Sequence, residues 1–195
     1  YANGSVERFP SNDTWQAKMT SDAQWKAASV GESLGELKKG SRPGNLPQSA
    51  ALLRKEFDVA KRVQSARVYV TALGSYRLFL NGRRVGNDVL TPEFTDYAKR
   101  VIYQTYDVTS LLVNGRNAIG AMLGDGWFLS GLVEYGNRQM FMAAPIRLLA
   151  QLRIDYADGT SRVVTTDDTW KASPSPILHS EIYDGETYDA RLEQP

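Results

Sequence analysis

The 195-residue sequence has no cysteine, a single histidine and almost no net charge, and each shortage removes a class of function. Without thiols there is no disulfide frame, thiolate zinc site, iron–sulfur cluster or cysteine nucleophile, and a histidine-relayed triad would have to rest on His179 alone. The 23 Lys and Arg against 22 Asp and Glu leave a formal charge of +1, too little to attract a phosphate backbone, so no nucleic-acid partner is expected. No apolar run approaches the roughly 18 residues of a spanning helix, and residues 1–25 lack the basic-then-apolar layout of a signal peptide, so no membrane partner is expected.

With 42% hydrophobic residues the chain can bury a core, and its length suits one domain of about 150 to 200 residues. Ten Tyr, six Phe and four Trp fit either a well-filled β core or a sugar-binding surface, and the core is the reading favoured. Residues 1–28 carry Trp15 and Trp25 with short apolar alternations, which predicts one or two lead-in strands. Residues 29–50 bring Gly31, Gly35, Gly40, Pro43, Gly44 and Pro47 among polar residues, a surface loop with at most one helical turn at residues 34–39. The expected division is therefore 1–50, lead-in strands and loop, and 51–195, the main domain.

Beyond residue 50 the hydrophobic period is two. Ala66, Val68, Val70 and Ala72 share one strand face, as do Ile146, Leu148, Ala150, Leu152 and Ile154 on another. Residues 118–123 are apolar or small on both faces, which predicts a central strand covered on both sides. Asn81-Gly82, Asp158-Gly159 and Asn114-Gly115 supply the positive φ angles of tight turns, and Asp107 or Thr109 is placed to cap one helical turn before residue 112. Many short strands between such turns, with short helical turns only, predict an all-β, antiparallel β-sandwich with Greek-key or jelly-roll connections.

Four regions carry oxygen or aromatic chemistry. The acidic run Glu181, Asp184, Glu186 and Asp189 could hold a carboxylate pair for glycoside hydrolysis, but Asp184-Gly185 is a turn signal and a structural role is favoured. Gly124-Asp125-Gly126-Trp127 offers a hard oxygen ligand and a flat ring beside a sharp turn, or a plain strand-to-loop corner with a core Trp. Asn87-Asp88 sets amide and carboxylate oxygens side by side, suited to calcium or a sugar's vicinal hydroxyls, and equally to a local turn. Asp167-Asp168 reads as a turn and His179 as a packed or surface residue. Phe128, Leu129, Leu132, Phe141 and Met142 form either an apolar docking patch or a loop folded back on the sandwich end.

Residues 65–74 (SARVYVTALG), the Asn81-Gly82 turn within residues 76–86, 103–109 (YQTYDVT), 117–127 (NAIGAMLGDGW) and 182–192 (IYDGETYDARL) resemble, in order and spacing, the N-terminal β-domain of bacterial α-L-rhamnosidases of glycoside hydrolase family 78. The resemblance covers residues 50–195 and implies a galactose-binding-like jelly roll, related to carbohydrate-binding module family 67. It also implies that hydrolysis belongs to a separate (α/α)₆ barrel, which with further β-domains of the parent enzyme would be this domain's partner. The chain is accordingly expected to be a noncatalytic accessory fragment from an exported bacterial enzyme. One alternative is a free-standing calcium-dependent module for L-rhamnose or rhamnose-containing glycans, and another is a protein-interaction sandwich. In the sugar-binding case the resemblance implies Asn87, Asp88, Trp127 and Asn137 at the carbohydrate, with Asp88 and Asp125 on calcium.

Overall fold

The computed structural model describes residues 50–97, 99–134, 137–140, 146–183 and 185–193. The lead-in strands expected with Trp15 and Trp25, and the loop up to residue 49, lie outside the described residues, as do Asp184, Phe141 and Met142. Along the described chain run β1 (Ala51–Val59), β2 (Val63–Leu73), β3 (Ser75–Leu80), β4 (Arg83–Arg84), β5 (Gln104–Asp107), β6 (Gly115–Gly124) and β7 (Gly131–Glu134). They are followed by β8 (Asn137–Met140), β9 (Arg147–Tyr156), β10 (Ser161–Thr165), β11 (Lys171–Pro174), β12 (Ile177–Glu181) and β13 (Gly185–Tyr188). Single 3₁₀ turns at Thr109–Leu111 and Ala190–Leu192 are the helical pieces among the described residues.

Two antiparallel sheets form the sandwich, one in the order β11-β1-β6-β3-β4 and the other β10-β9-β2-β5, with β7-β8 and β12-β13 as separate hairpins. Alternation places the core. Leu53 and Phe57 of β1, Leu78 and Leu80 of β3 and Ile119 and Leu123 of β6 face Val68 and Val70 of β2 and Leu148, Leu152 and Ile154 of β9 in one buried cluster. Each such side chain contributes on the order of 1.5–3 kcal/mol by leaving water. The opposite face of β2 is also covered, since the loop before β5 lies across it: the Thr71 hydroxyl donates to the Ile102 carbonyl at 2.6 Å and the Tyr69 and Tyr103 rings meet edge to face.

Strand β6 is central, as expected, between β1 and β3. Its inner residues Ile119, Ala121 and Leu123 are buried, and Ala118, Gly120 and Met122 on the outer face are half-buried. Strand β12 meets this face at the Gly124 end, where the Ser180 hydroxyl stands 3.1 Å from the position of an added Cβ.

Of the three expected turns only Asn81-Gly82 has positive φ at both residues; Asp158-Gly159 joins β9 to β10 with Gly159 alone at positive φ (81°). Asn81 (φ 52°) and Gly82 (φ 75°) join β3 to β4 in a two-residue hairpin with Leu80 opposite Arg83. Asn114-Gly115 instead links the 3₁₀ turn to β6, with Gly115 at φ 87° and no hairpin. The 3₁₀ turn has Val108, not Asp107 or Thr109, at its N-cap and no side-chain cap; the Thr109 N–H donates to Asp107 Oδ1 at 2.9 Å in a local turn just before it.

Two amides tie these turns together. Asn117, 2% exposed, accepts from the Val113 N–H at 3.0 Å and donates to the carbonyls of Val113 and Gly115, both at 2.8 Å. Asn81 donates to Asn117 Oδ1 and to the Leu111 carbonyl, and accepts from the Ala118 N–H, each at 2.8 Å. Replacing Asn117 with Leu keeps the volume but strands buried donors and acceptors. The expected cost is about 3 kcal/mol, from an orphaned-group penalty of roughly 1–3 kcal/mol each. Urea unfolding checks this: Asn117→Leu should fall well below wild type while Asn114→Ala, on the exposed side of the same turn, stays close to it.

Candidate functional site

The loop after β4 owes its shape to a mismatch in chain length. The Val85 N–H bonds the Leu78 carbonyl at 2.9 Å, and the Tyr76 N–H bonds the Thr91 carbonyl at 3.0 Å. Between these anchors β3 passes from residue 78 to 76 while the facing chain runs from 85 to 91, so residues 86–90 must stand off the sheet edge as a loop. Asn87, Asp88, Val89 and Leu90 are all exposed on it.

Asp88 is held from two directions. Arg84 Nη2 donates to its backbone carbonyl at 2.6 Å, and the Tyr106 hydroxyl donates to its Oδ2 at 2.7 Å. Among the described residues no protein donor meets the other Asp88 carboxylate oxygen, and the Asn87 amide makes no side-chain hydrogen bond. Behind them the Tyr76 hydroxyl donates to Gln104 Oε1 at 2.8 Å, and Gln104 Nε2 reaches the Pro92 carbonyl at 3.4 Å. Burial, joined by hydrogen bonding to the Asp88 carboxylate, pushes the Tyr106 phenol up to about 12. Burial also pushes the Tyr76 phenol up, with its hydrogen bond to Tyr106 adding to the effect.

The corner after β6 is a different environment. Asp125 is 2% exposed, and its backbone carbonyl accepts the Leu129 N–H at 3.3 Å as the chain turns through Gly126 (φ 53°). Trp127 is half-buried, with Phe94 and Tyr183 meeting its ring edge to face at centroid distances of 6.1 and 6.2 Å. Phe94 and Tyr183 are about half exposed, at 51% and 50%. Phe128 and Leu129 are buried in the core, so for these two the folded-back arrangement holds. Asn137 lies on β8 opposite Glu134.

Sequence reasoning thus named residues that fall at two places. Asn87 and Asp88 share one loop, Asp125 and Trp127 share one corner, and the two pairs follow strands on opposite sides of β3. Calcium takes oxygen ligands. The donor chemistry of Asn87 and the free Asp88 oxygen fits it, although among the described residues no group of three His, Asp or Glu side chains gathers around a common point. Tyr106, Gly86 and Arg84 around the loop, and Phe94 and Tyr183 around Trp127, were not singled out as site residues. Their sequence signal was membership of the matched stretches: Arg84 and Gly86 in residues 76–86, Tyr106 in 103–109 and Tyr183 in 182–192, with Phe94 in none of them.

The acidic run takes up structural bonds. Glu181 is buried, where the Ser130 hydroxyl donates to its Oε1 and the Tyr183 N–H to its Oε2 at 2.7 Å. Asp189 accepts the Arg191 N–H at 3.1 Å and pairs with the Arg191 guanidinium, which holds its carboxyl below the usual range. Asp167 likewise serves a turn, accepting from the Thr169 N–H at 3.0 Å and hydroxyl at 2.6 Å while pairing with Lys55. His179 lies half-buried on β12.

Comparison with known proteins identifies the frame in which these residues sit. The family model described as the alpha-L-rhamnosidase N-terminal domain matches residues 61–195. The alpha-L-rhamnosidase of Streptomyces avermitilis is 45% identical over 182 residues, 93% of this chain but 17% of that protein. A crystal structure of the Streptomyces avermitilis enzyme complexed with L-rhamnose superposes with a TM-score of 0.71 at 47% identity, over 75% of this chain and 14% of that one. The native enzyme of Aspergillus terreus gives 0.73 at 41% identity, over 80% and 18%. The chain therefore spans less than a fifth of the length of these relatives.

The raised Tyr76 and Tyr106 phenols give the fold a signature at high pH. The folded chain keeps these protons more tightly than the unfolded chain, whose tyrosines titrate near 10. Their contribution is thus complete below pH 10 and is lost as pH rises through the folded values. Urea midpoints should fall in wild type between pH 10 and about 12. They should fall less steeply in a Tyr76→Phe, Tyr106→Phe double variant; an identical alkaline limb would contradict the assignment.

Proposed function

The chain belongs to the alpha-L-rhamnosidase N-terminal domain family, and from that premise we propose that it is a noncatalytic β-domain of a longer α-L-rhamnosidase. The observation that carries this reading is the mismatch of lengths: relatives with this activity in their names are more than five times as long as the part they share with this chain. The site geometry supports it, because the buried Glu181 and the capping Asp189 are committed to local bonds. In this reading hydrolysis of terminal α-L-rhamnosyl bonds resides in a catalytic barrel elsewhere in the parent protein, beside which this domain packs. Export of the parent is part of the same proposal, since glycan scavenging takes place outside the cell.

A second role, binding of L-rhamnose through calcium, is favoured by the exposed Asn87 and Asp88 oxygens that have no protein partner among the described residues. A crystal structure of the Streptomyces avermitilis relative contains L-rhamnose. Asn87 and Asp88 would hold the ion, which when bound accepts two adjacent sugar hydroxyls and so reads their relative orientation. Trp127 with its flanking rings, and Asn137, are the further proposed contacts to the sugar, and Asp125 a further proposed oxygen ligand.

Two measurements test these roles. Incubated with an aryl α-L-rhamnoside, the purified chain should release no aglycone above the buffer rate; turnover abolished by Glu181→Gln would overturn the noncatalytic reading. Calorimetry with L-rhamnose should give heat in calcium and none in chelator. Asp88→Ala should remove that heat while shifting stability by only about 1 kcal/mol, the usual worth of one hydrogen bond.

A further inference from the structure

The Asn87–Asp88 loop rests on a single side chain from the other sheet. Gly86 has φ +70°, and a Cβ built there would lie 2.4 Å from Cε1 and 2.9 Å from Cδ1 of Tyr106. The ring therefore fills the space directly against the Gly86 backbone. The hydroxyl of the same ring donates to Asp88 Oδ2 at 2.7 Å. Tyr106 thus touches the loop on both sides of Asn87, once by packing and once by a hydrogen bond.

Its own position is fixed independently of the loop. Tyr106 lies on β5, opposite Val68 of β2, and packs against the buried cluster. Strand β4 ends one sheet and β5 ends the other, so the ring bridges the two neighbouring edges. Arg84, from β4, holds the Asp88 carbonyl at 2.6 Å. A carboxylate on a loop otherwise rotates freely and offers its oxygens in many directions. Here one oxygen is occupied by the phenol, and among the described residues the other meets no protein donor and the neighbouring Asn87 amide makes no side-chain hydrogen bond.

We propose that Tyr106 is a positioning residue for ligand capture at Asn87 and Asp88, its ring setting the height of the loop and its hydroxyl aiming the Asp88 carboxylate at a hard cation and the vicinal hydroxyls of a sugar. This rests on the sugar-binding reading above. Outer partners that orient a ligating carboxylate typically change metal affinity by about 10- to 100-fold when removed. Tyr106→Phe keeps the ring and deletes the hydroxyl, separating aim from packing. Gly86→Ala keeps the hydroxyl and forces the loop off the ring.

The test titrates calcium chloride alone, then L-rhamnose in calcium, into wild type and both variants by calorimetry, with urea midpoints measured in parallel. Expected is calcium binding about 10- to 100-fold weaker in Tyr106→Phe, a matching loss for rhamnose, and a urea midpoint close to wild type. Gly86→Ala should weaken binding as well. Wild-type affinity in Tyr106→Phe, whether or not its midpoint falls, would overturn the positioning role while leaving the sugar-binding reading intact. A wild-type chain that takes up neither calcium nor L-rhamnose would overturn both.

Discussion

Two paired amides hold the candidate loop in place. Asn81 can occupy its left-handed position in the β3–β4 hairpin, and its side chain then meets Asn117 and the backbone of β6. A primary amide carries a donor group and an acceptor on one rigid plane, as the peptide unit does, and so can stand in for missing ladder bonds where a turn interrupts the sheet. With that turn fixed, the chain leaving β4 must run back along β3. The surplus residues between the Val85 and Thr91 anchors then leave the edge as the exposed loop. The loop's location is a consequence of sheet closure; its chemistry comes from Asn87 and Asp88.

The carboxylates divide between two environments that serve opposite ends. Glu181, removed from water, is supported as an acceptor by donors from Ser130 and Tyr183 that converge on it. Asp88 lies in water, and its phenol hydrogen bond restricts the direction of its carboxylate. The first kind of site holds a segment to the sandwich. The second keeps an oxygen available.

How much of this was readable beforehand depended on the range of the physics involved. Alternation at period two identified the inward residues of β2 and β9, and Asn-Gly identified the β3–β4 turn, because both are properties of a few consecutive residues. What lies over the outer face of β6 was less readable, since Ala118, Gly120 and Met122 do not name their neighbour and only the fold brings Ser180 of β12 against the Gly124 end. The dependence of Asp88 on Tyr106, 18 residues away, was equally hidden. It arises only when the edges of two sheets come side by side. For the acidic run the structural reading was favoured in advance, but the burial that explains it at Glu181 comes from residues distant in the chain.

The outermost strands have one further bearing on how such a sandwich behaves in company. Strands β4, β5, β10 and β11 contain two, four, five and four residues, and β11 closes on Pro174, which has no amide hydrogen to offer. Margins this brief give another chain little backbone to zip onto. A domain built with them can be strung among many neighbours in one long polypeptide at high local concentration without recruiting their strands into its own sheets.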